Sequence, residues 1–117
     1  MNKYDLKVLQ INFNYSQYAT ESTLQYTVEN NISLILVKKP WLVKNNNYSR
    51  SINHQGFIQI KPNSSTLRPR VWVYAAKNQL FDINISNISP IDLDLLIIDI
   101  INRQNNCQLI NIYNQLD

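Results

Sequence analysis

Glycine is almost absent: Gly56 is the only one in a chain of 117 residues. Strand-rich chains ordinarily place glycine where a turn needs positive φ. That task falls here to asparagine, which tolerates the left-handed region. A single cysteine, Cys107, excludes an internal disulfide and any multi-cysteine metal site, and a single histidine, His54, excludes a histidine-rich one. Charged residues make up 16% of the chain, against about a quarter in ordinary soluble domains. Amides fill the gap, as in Asn45-Asn46-Asn47 and Asn105-Asn106. The joint excess of Asn, Ile, Tyr and Lys is what an AT-rich coding sequence would give. The longest apolar run, Leu93 to Ile101, is interrupted by Asp94 and Asp99 and is too short to cross a bilayer. The start, Met1-Asn2-Lys3-Tyr4-Asp5, lacks the apolar core of a signal peptide. The expectation from these absences is a reducing intracellular compartment, cytoplasmic or nuclear, with no membrane partner.

The hydrophobic share of 44% is enough for one globular core, and the net charge of +3 permits an acidic partner such as nucleic acid without demanding one. Leu6 to Phe13 alternates and reads as a strand. Ser16 is a helix N-cap, followed by Leu24, Val28 and Ile32 at helical spacing, with Asn30-Asn31 as the stop. Ile32 to Val37 is continuously apolar, as in a strand covered on both faces. Strand, helix, strand at this spacing is a βαβ unit, so the two strands are expected to be parallel. Their ends bring Asn12 and Lys39 close together, where α/β folds usually carry chemistry.

Beyond Trp41 the pattern becomes a strand meander. Val43 to Asn53 is a polar loop, Phe57 to Ile60 a strand, Pro62 to Pro69 a loop, and Val71 to Ala76 a strand ending in the turn Lys77-Asn78. Phe81 to Ile88 alternates weakly, with Phe81, Ile83 and Ile85 on one face. Pro90 breaks the chain. Leu93 to Ile101 is a long apolar strand, Arg103 to Asn106 a turn, and Gln108 to Tyr113 a final strand.

Five pieces of this chain, in order, resemble the amino-terminal half of the endonuclease domain of non-LTR (LINE-type) retrotransposons, within the endonuclease/exonuclease/phosphatase superfamily. They are Leu9-Gln10-Ile11-Asn12 with Ser16, Leu34-Ile35-Leu36-Val37 with Pro40-Trp41, Arg50-Ser51-Ile52-Asn53-His54, Arg68-Pro69-Arg70-Val71, and Asn111-Ile112-Tyr113-Asn114. The resemblance implies an α/β two-sheet sandwich with mixed sheets and an early βαβ unit, of which residues 1–117 form the first half, the carboxy-terminal half being missing. It also implies Mg²⁺-assisted hydrolysis of a DNA phosphodiester, the cation stabilising charge on phosphate oxygens. In that family Asn12 matches a residue of the metal site and Tyr113 matches one that orients the phosphate.

The chain departs from that pattern in two ways. Where the family has a metal-binding Glu, Lys39 stands here, and a protonated ammonium offers no lone pair and repels Mg²⁺. The sequence also stops before the segments that carry the remaining Asp, Asn and His. The expectation is therefore a truncated relative that is inactive alone and binds no magnesium, with Asn12 and Tyr113 as vestiges of a catalytic site. Two alternatives stand beside it: part of an active enzyme completed by downstream sequence or a partner chain, and a repurposed nucleic-acid or protein binding module.

Arg50, His54, Arg68 and Arg70 are the candidate DNA contacts, with Lys61 and Lys77 on the same basic rim. Tyr48, Trp72 and Tyr74 are interleaved as possible stacking surface, although the shared parity of Trp72 and Tyr74 favours packing. Lys39 itself is readable as an ammonium standing in the metal's place. Cys107 reads as a structural thiol near a turn. Half a sandwich also exposes apolar sheet surface, most of all at Leu93 to Ile101, and is expected to self-associate.

Overall fold

The computed structural model describes residues 6–43, 50–62, 68–77, 81–90, 92–102 and 106–113. The expected loops over 44–49 and 63–67, the turn positions 78 and 103–105, and Tyr48 lie outside these residues. The elements are β1 (Val8–Asn12), α1 (Gln17–Glu29), β2 (Leu34–Lys38), β3 (Phe57–Ile60), β4 (Val71–Ala76), β5 (Asp82–Ile85), β6 (Leu95–Ile101) and β7 (Asn106–Ile112). They form two sheets, one of four strands in the order β1-β2-β4-β3 and one of three in the order β5-β6-β7.

β1 and β2 run parallel, with Val8 opposite Leu34 and Asn12 opposite Lys38, as the βαβ reading requires. The remainder is only partly a meander. β4 inserts between β2 and β3 and pairs antiparallel with both, whereas β5, β6 and β7 do follow one another. A central place in the first sheet explains why β2 and β4 are apolar on both faces.

Their alternation sorts side chains into two cores. Leu34, Leu36, Val71, Val73 and Ala75 face the second sheet and pack with Ile83, Leu96, Ile98 and Ile100. Ile35, Val37, Trp72 and Tyr74 face the other way, onto Phe13, Leu24, Leu42 and Phe57. The fold is therefore a two-sheet α+β sandwich with its helix on the outer side of the larger sheet.

Ser16 caps α1 as expected, its Oγ accepting from Ala19 N at 3.0 Å, and Asn30 closes it. The buried face of the helix differs from the expected Leu24, Val28 and Ile32. It consists of Thr20, Thr23, Leu24 and Thr27, while Val28 is exposed and Ile32 lies beyond the helix end. The threonines can be buried because their hydroxyls bond back to the helix, Thr20 to Ser16 O and Thr27 to Leu24 O, each at 2.8 Å.

β6 starts two residues later than expected because Asp92 accepts from Asp94 N in a turn and Leu93 O accepts from Arg70 N. β7 starts earlier, at Asn106, so Cys107 is the second residue of a strand, beside the β6–β7 connection, and is exposed. β6 is the middle strand of its sheet, and the most exposed apolar side chains of that sheet are Ile110 and Ile112 on β7. In β5 only Ile83 is buried, Phe81 is half-buried and Ile85 is exposed.

Trp72 and Tyr74 are fully buried and offer no stacking surface. Trp72 Nε1 donates to Gln59 Oε1 at 3.1 Å, and Tyr74 Oη donates to Ile52 O at 2.7 Å. Burial pushes the Tyr74 phenol up to about 12. Because its ordinary value is about 10, Tyr74 contributes full stability below about pH 10, lost as pH rises through its folded value. The expected alkaline slope is up to about 1.4 kcal/mol per pH unit. Tyr74→Phe should remove that component from urea midpoints measured across this range; an unchanged slope would contradict the burial argument.

Candidate functional site

Five segments converge where β1 and β2 end. Phe13 N donates to Lys38 O and Tyr15 N donates to Lys39 O, both at 2.9 Å. Lys39 N donates to Arg70 O, Arg70 N to Leu93 O, and Tyr113 N to Asp94 O. The backbone thus ties together the end of β1, the end of β2, the start of β4, the start of β6 and the end of β7.

Among the described residues four other than glycine have positive φ, and three of them lie here: Asn14 at 49°, Tyr15 at 62° and Lys39 at 50°. The fourth, Asn31, ends the helix, and Gly56 is not left-handed. Asparagine does supply positive φ at two turns, as the scarcity of glycine requires. Tyrosine and lysine in this region are strained, and such strain persists only where the surroundings hold it.

The side chains form a layer of cations and tyrosines. Lys39 Nζ lies 5.9 Å from the Tyr15 ring centroid and 5.8 Å from that of Tyr113. Arg68 Cζ stands 4.3 Å over Tyr15, and Arg70 Cζ 5.5 Å from Tyr113. Arg68 also donates to Pro40 O at 3.3 Å. Arg70 grips Asp94 through two bonds of 2.5 and 2.7 Å, and these hold its guanidinium above its ordinary pKa. No carboxylate among the described residues pairs with Lys39.

Directly beneath, the adjacent lysine does something different. Lys38 Nζ donates to Asn111 Oδ1 at 3.1 Å, while Asn111 Nδ2 donates to Val37 O at 3.2 Å and Trp72 O at 2.9 Å. Asn111 is completely buried and fastens β7 across to β2 and β4. Desolvation lowers the Lys38 pKa.

Of the residues singled out from sequence, Lys39, Arg68, Arg70 and Tyr113 come together. Asn12 lies at the same strand ends but is exposed, and its Oδ1 accepts from Asn14 N at 2.8 Å. His54 lies elsewhere. Its Nδ1 accepts from Gly56 N at 2.9 Å, its ring meets Phe57 edge-on, and Phe57 pairs with Ala76, at the end of β4 remote from Arg70. Lys77 follows Ala76 at that remote end, so the basic rim is not continuous. Arg50 is exposed, its backbone bridged to Val43.

Sequence reasoning missed Tyr15, Asp94 and the buried side of Asn111. Tyr15 had no local signal. Nor did Asn111, since β7 also carries Asn106 and Gln108, and its two isoleucines, Ile110 and Ile112, share the opposite parity.

The donors needed for a hard divalent cation are not gathered here. Lysines occupy the end of β2, Asp94 is clamped by Arg70, and Asn12 Oδ1 is taken by a backbone amide. Among the described residues no three of His, Cys, Asp and Glu stand together.

The architecture is a two-sheet α+β sandwich. The chain is similar to the endonuclease domain of TRAS1, a telomere-specific non-LTR retrotransposon, with a TM-score of 0.71 and 13% identity. The match covers 95% of this chain and 45% of that one, so the chain spans less than half of this neighbour. At such identity the likeness shows the fold. No family model and no curated protein matches the sequence. Among the described residues, no helix is long and apolar enough to cross a membrane.

Proposed function

We propose that this chain is a non-cleaving, nucleic-acid-binding relative of metal-dependent DNA endonucleases, corresponding to the first half of such a domain. The observation that carries the reading is the gathering of Lys39, Arg68 and Arg70 around two tyrosine rings at the strand ends, with Lys39 where the resemblance places a metal-binding Glu. Tyr15 and Tyr113 hold these cations in place, and Asp94 pairs with Arg70. A layer of this kind attracts phosphate oxygens without regard to base sequence. The expected ligand is the backbone of DNA, and magnesium has no part in binding it.

A second reading has one observation in its favour, the 45% coverage of the neighbouring endonuclease domain. In that reading a further segment or a partner chain supplies the missing donors, and Asn12 and Tyr113 act in Mg²⁺-dependent hydrolysis.

The test is supercoiled plasmid incubated with the purified chain and Mg²⁺, alongside binding to the same DNA across a salt series. The expected result is binding that weakens steeply with salt, with no nicking above background. Nicking that EDTA stops and that Asn12→Ala or Tyr113→Phe abolishes would overturn the non-cleaving reading.

A further inference from the structure

We propose that the Lys39 ammonium is itself the central phosphate ligand of this site, taking a backbone phosphodiester of a nucleic acid without any divalent cation. This rests on the nucleic-acid reading above and assigns it to one atom. Three observations lead to Lys39 rather than to the neighbouring cations. Arg70 is committed to Asp94 by two hydrogen bonds, and Arg68 donates to Pro40 O, whereas the Lys39 ammonium has no hydrogen bond or carboxylate among the described residues. Its ammonium nevertheless lies within 6 Å of both tyrosine rings, between the two arginines that stand over those same rings. Cations that share a ring are separated by a distance of the order of the Debye length, about 8 Å at physiological salt, so their mutual repulsion is only partly screened. A ring quadrupole contributes only about 0.5–1 kcal/mol at a partly exposed site, a weak hold on an ammonium that has no carboxylate partner among the described residues.

The third observation is the backbone. Lys39 is left-handed, and its carbonyl accepts from Tyr15, which is also left-handed. Two strained residues joined by a hydrogen bond fix the lysine stem between the rings, where an ordinary extended strand end would direct it otherwise. A phosphate oxygen placed on Nζ meets the flanking guanidinium groups as well, and its charge relieves the repulsion. The adjacent Lys38 makes the contrast. The same side chain, one residue earlier, has turned into the sandwich onto Asn111.

The experiment is fluorescence anisotropy of a short labelled DNA duplex, in EDTA and in Mg²⁺, for the wild type, Lys39→Met, Lys39→Gly and Lys77→Met. Glycine relaxes a left-handed position, so Lys39→Gly removes the ammonium without endangering the fold. Lys77 lies at the opposite end of β4 and serves as the equal-charge control.

The wild type is expected to bind in EDTA at least as tightly as in Mg²⁺. Both Lys39 variants should bind roughly tenfold more weakly at about 50 mM salt, with the slope of log K against log salt shallower by about 0.9. Lys77→Met should change neither quantity by as much. Wild-type binding that Lys39→Met and Lys39→Gly leave intact would overturn the role of Lys39 and spare the functional reading. Wild-type binding that requires Mg²⁺ would overturn the cation-free site. No binding by the wild type under any condition would overturn the functional reading itself.

Discussion

Asn111→Leu is expected to destabilise the protein by about 3 kcal/mol, out of a total of roughly 5–15 kcal/mol for a domain of this kind. The amide is fully buried and satisfies three groups at once: Lys38 Nζ, Val37 O and Trp72 O. Leucine keeps the volume but removes a second bond from two carbonyls already paired in the β2–β4 ladder, and it leaves the half-buried Lys38 ammonium without its acceptor. An unsatisfied buried group costs about 1–3 kcal/mol, more when charged, and local relaxation recovers part of the sum. The melting temperature should fall by about 10–15 °C.

The pH dependence identifies the cause. Lys38 already has a depressed pKa from burial, so its charged form is a liability below that value, relieved as pH rises toward the ordinary lysine range. Removing the Asn111 acceptor enlarges the liability. The penalty of Asn111→Leu should therefore shrink as pH rises through the folded Lys38 pKa. Asn111→Asp restores a partner for Lys38 yet turns a carboxylate toward two carbonyls, and it should not rescue stability. Urea denaturation of the variants at neutral and alkaline pH measures all of this. A pH-independent loss in Asn111→Leu would leave only a packing defect and remove Lys38 from the account.

The second large effect concerns association. We propose that the isolated chain pairs with a second copy of itself along β7. This strand is the longest at any sheet edge, at seven residues, and carries no charged side chain. The other edge strands have four or five residues, and β5 carries Asp82. Ile110 and Ile112 are 57% and 52% exposed on one face of β7, opposite Ile97 and Leu95 of β6. None of the usual protections of an edge, such as a lysine or a proline, is present on it.

A neutral strand can face its own copy without repulsion although the whole chain carries +3, and two-fold antiparallel pairing closes the assembly. Sedimentation equilibrium should show a concentration-dependent dimer for the wild type and a monomer for Ile110→Lys, with near-native melting because the site is exposed. A wild type monomeric across the micromolar range would sink the proposal.

Local pattern carried much of the fold into the sequence. β3 and β4 are bounded as the alternation of Phe57 to Ile60 and Val71 to Ala76 indicates, and the Ser16 cap needed only its own position. The parallel pairing of β1 and β2 followed from chain length and continuous burial. What escaped was the placement of β4 between β2 and β3, since no local signal distinguishes an inserted strand from the next strand of a meander.

The site divides along the same line. Lys39, Arg68, Arg70 and Tyr113 belong to recognisable segments and were nameable one at a time. Tyr15, Asp94 and Asn111 matter because of residues far away in sequence, and their roles become visible only once the sheets are assembled. The threonine face of α1 was hidden for another reason: a hydroxyl that bonds to its own helix behaves as an apolar residue, and hydropathy patterns do not register this.

The Asn111 fastening also dictates an order of events during synthesis. Its bond to Lys38 spans 73 positions, and among the described strands β7 is the last to be made. Every strand of the larger sheet has emerged before it. Until Asn111 docks, the nascent sheet holds a lysine and two carbonyls that lack this partner, so the larger sheet should remain loosely closed until β7 has been made and docks.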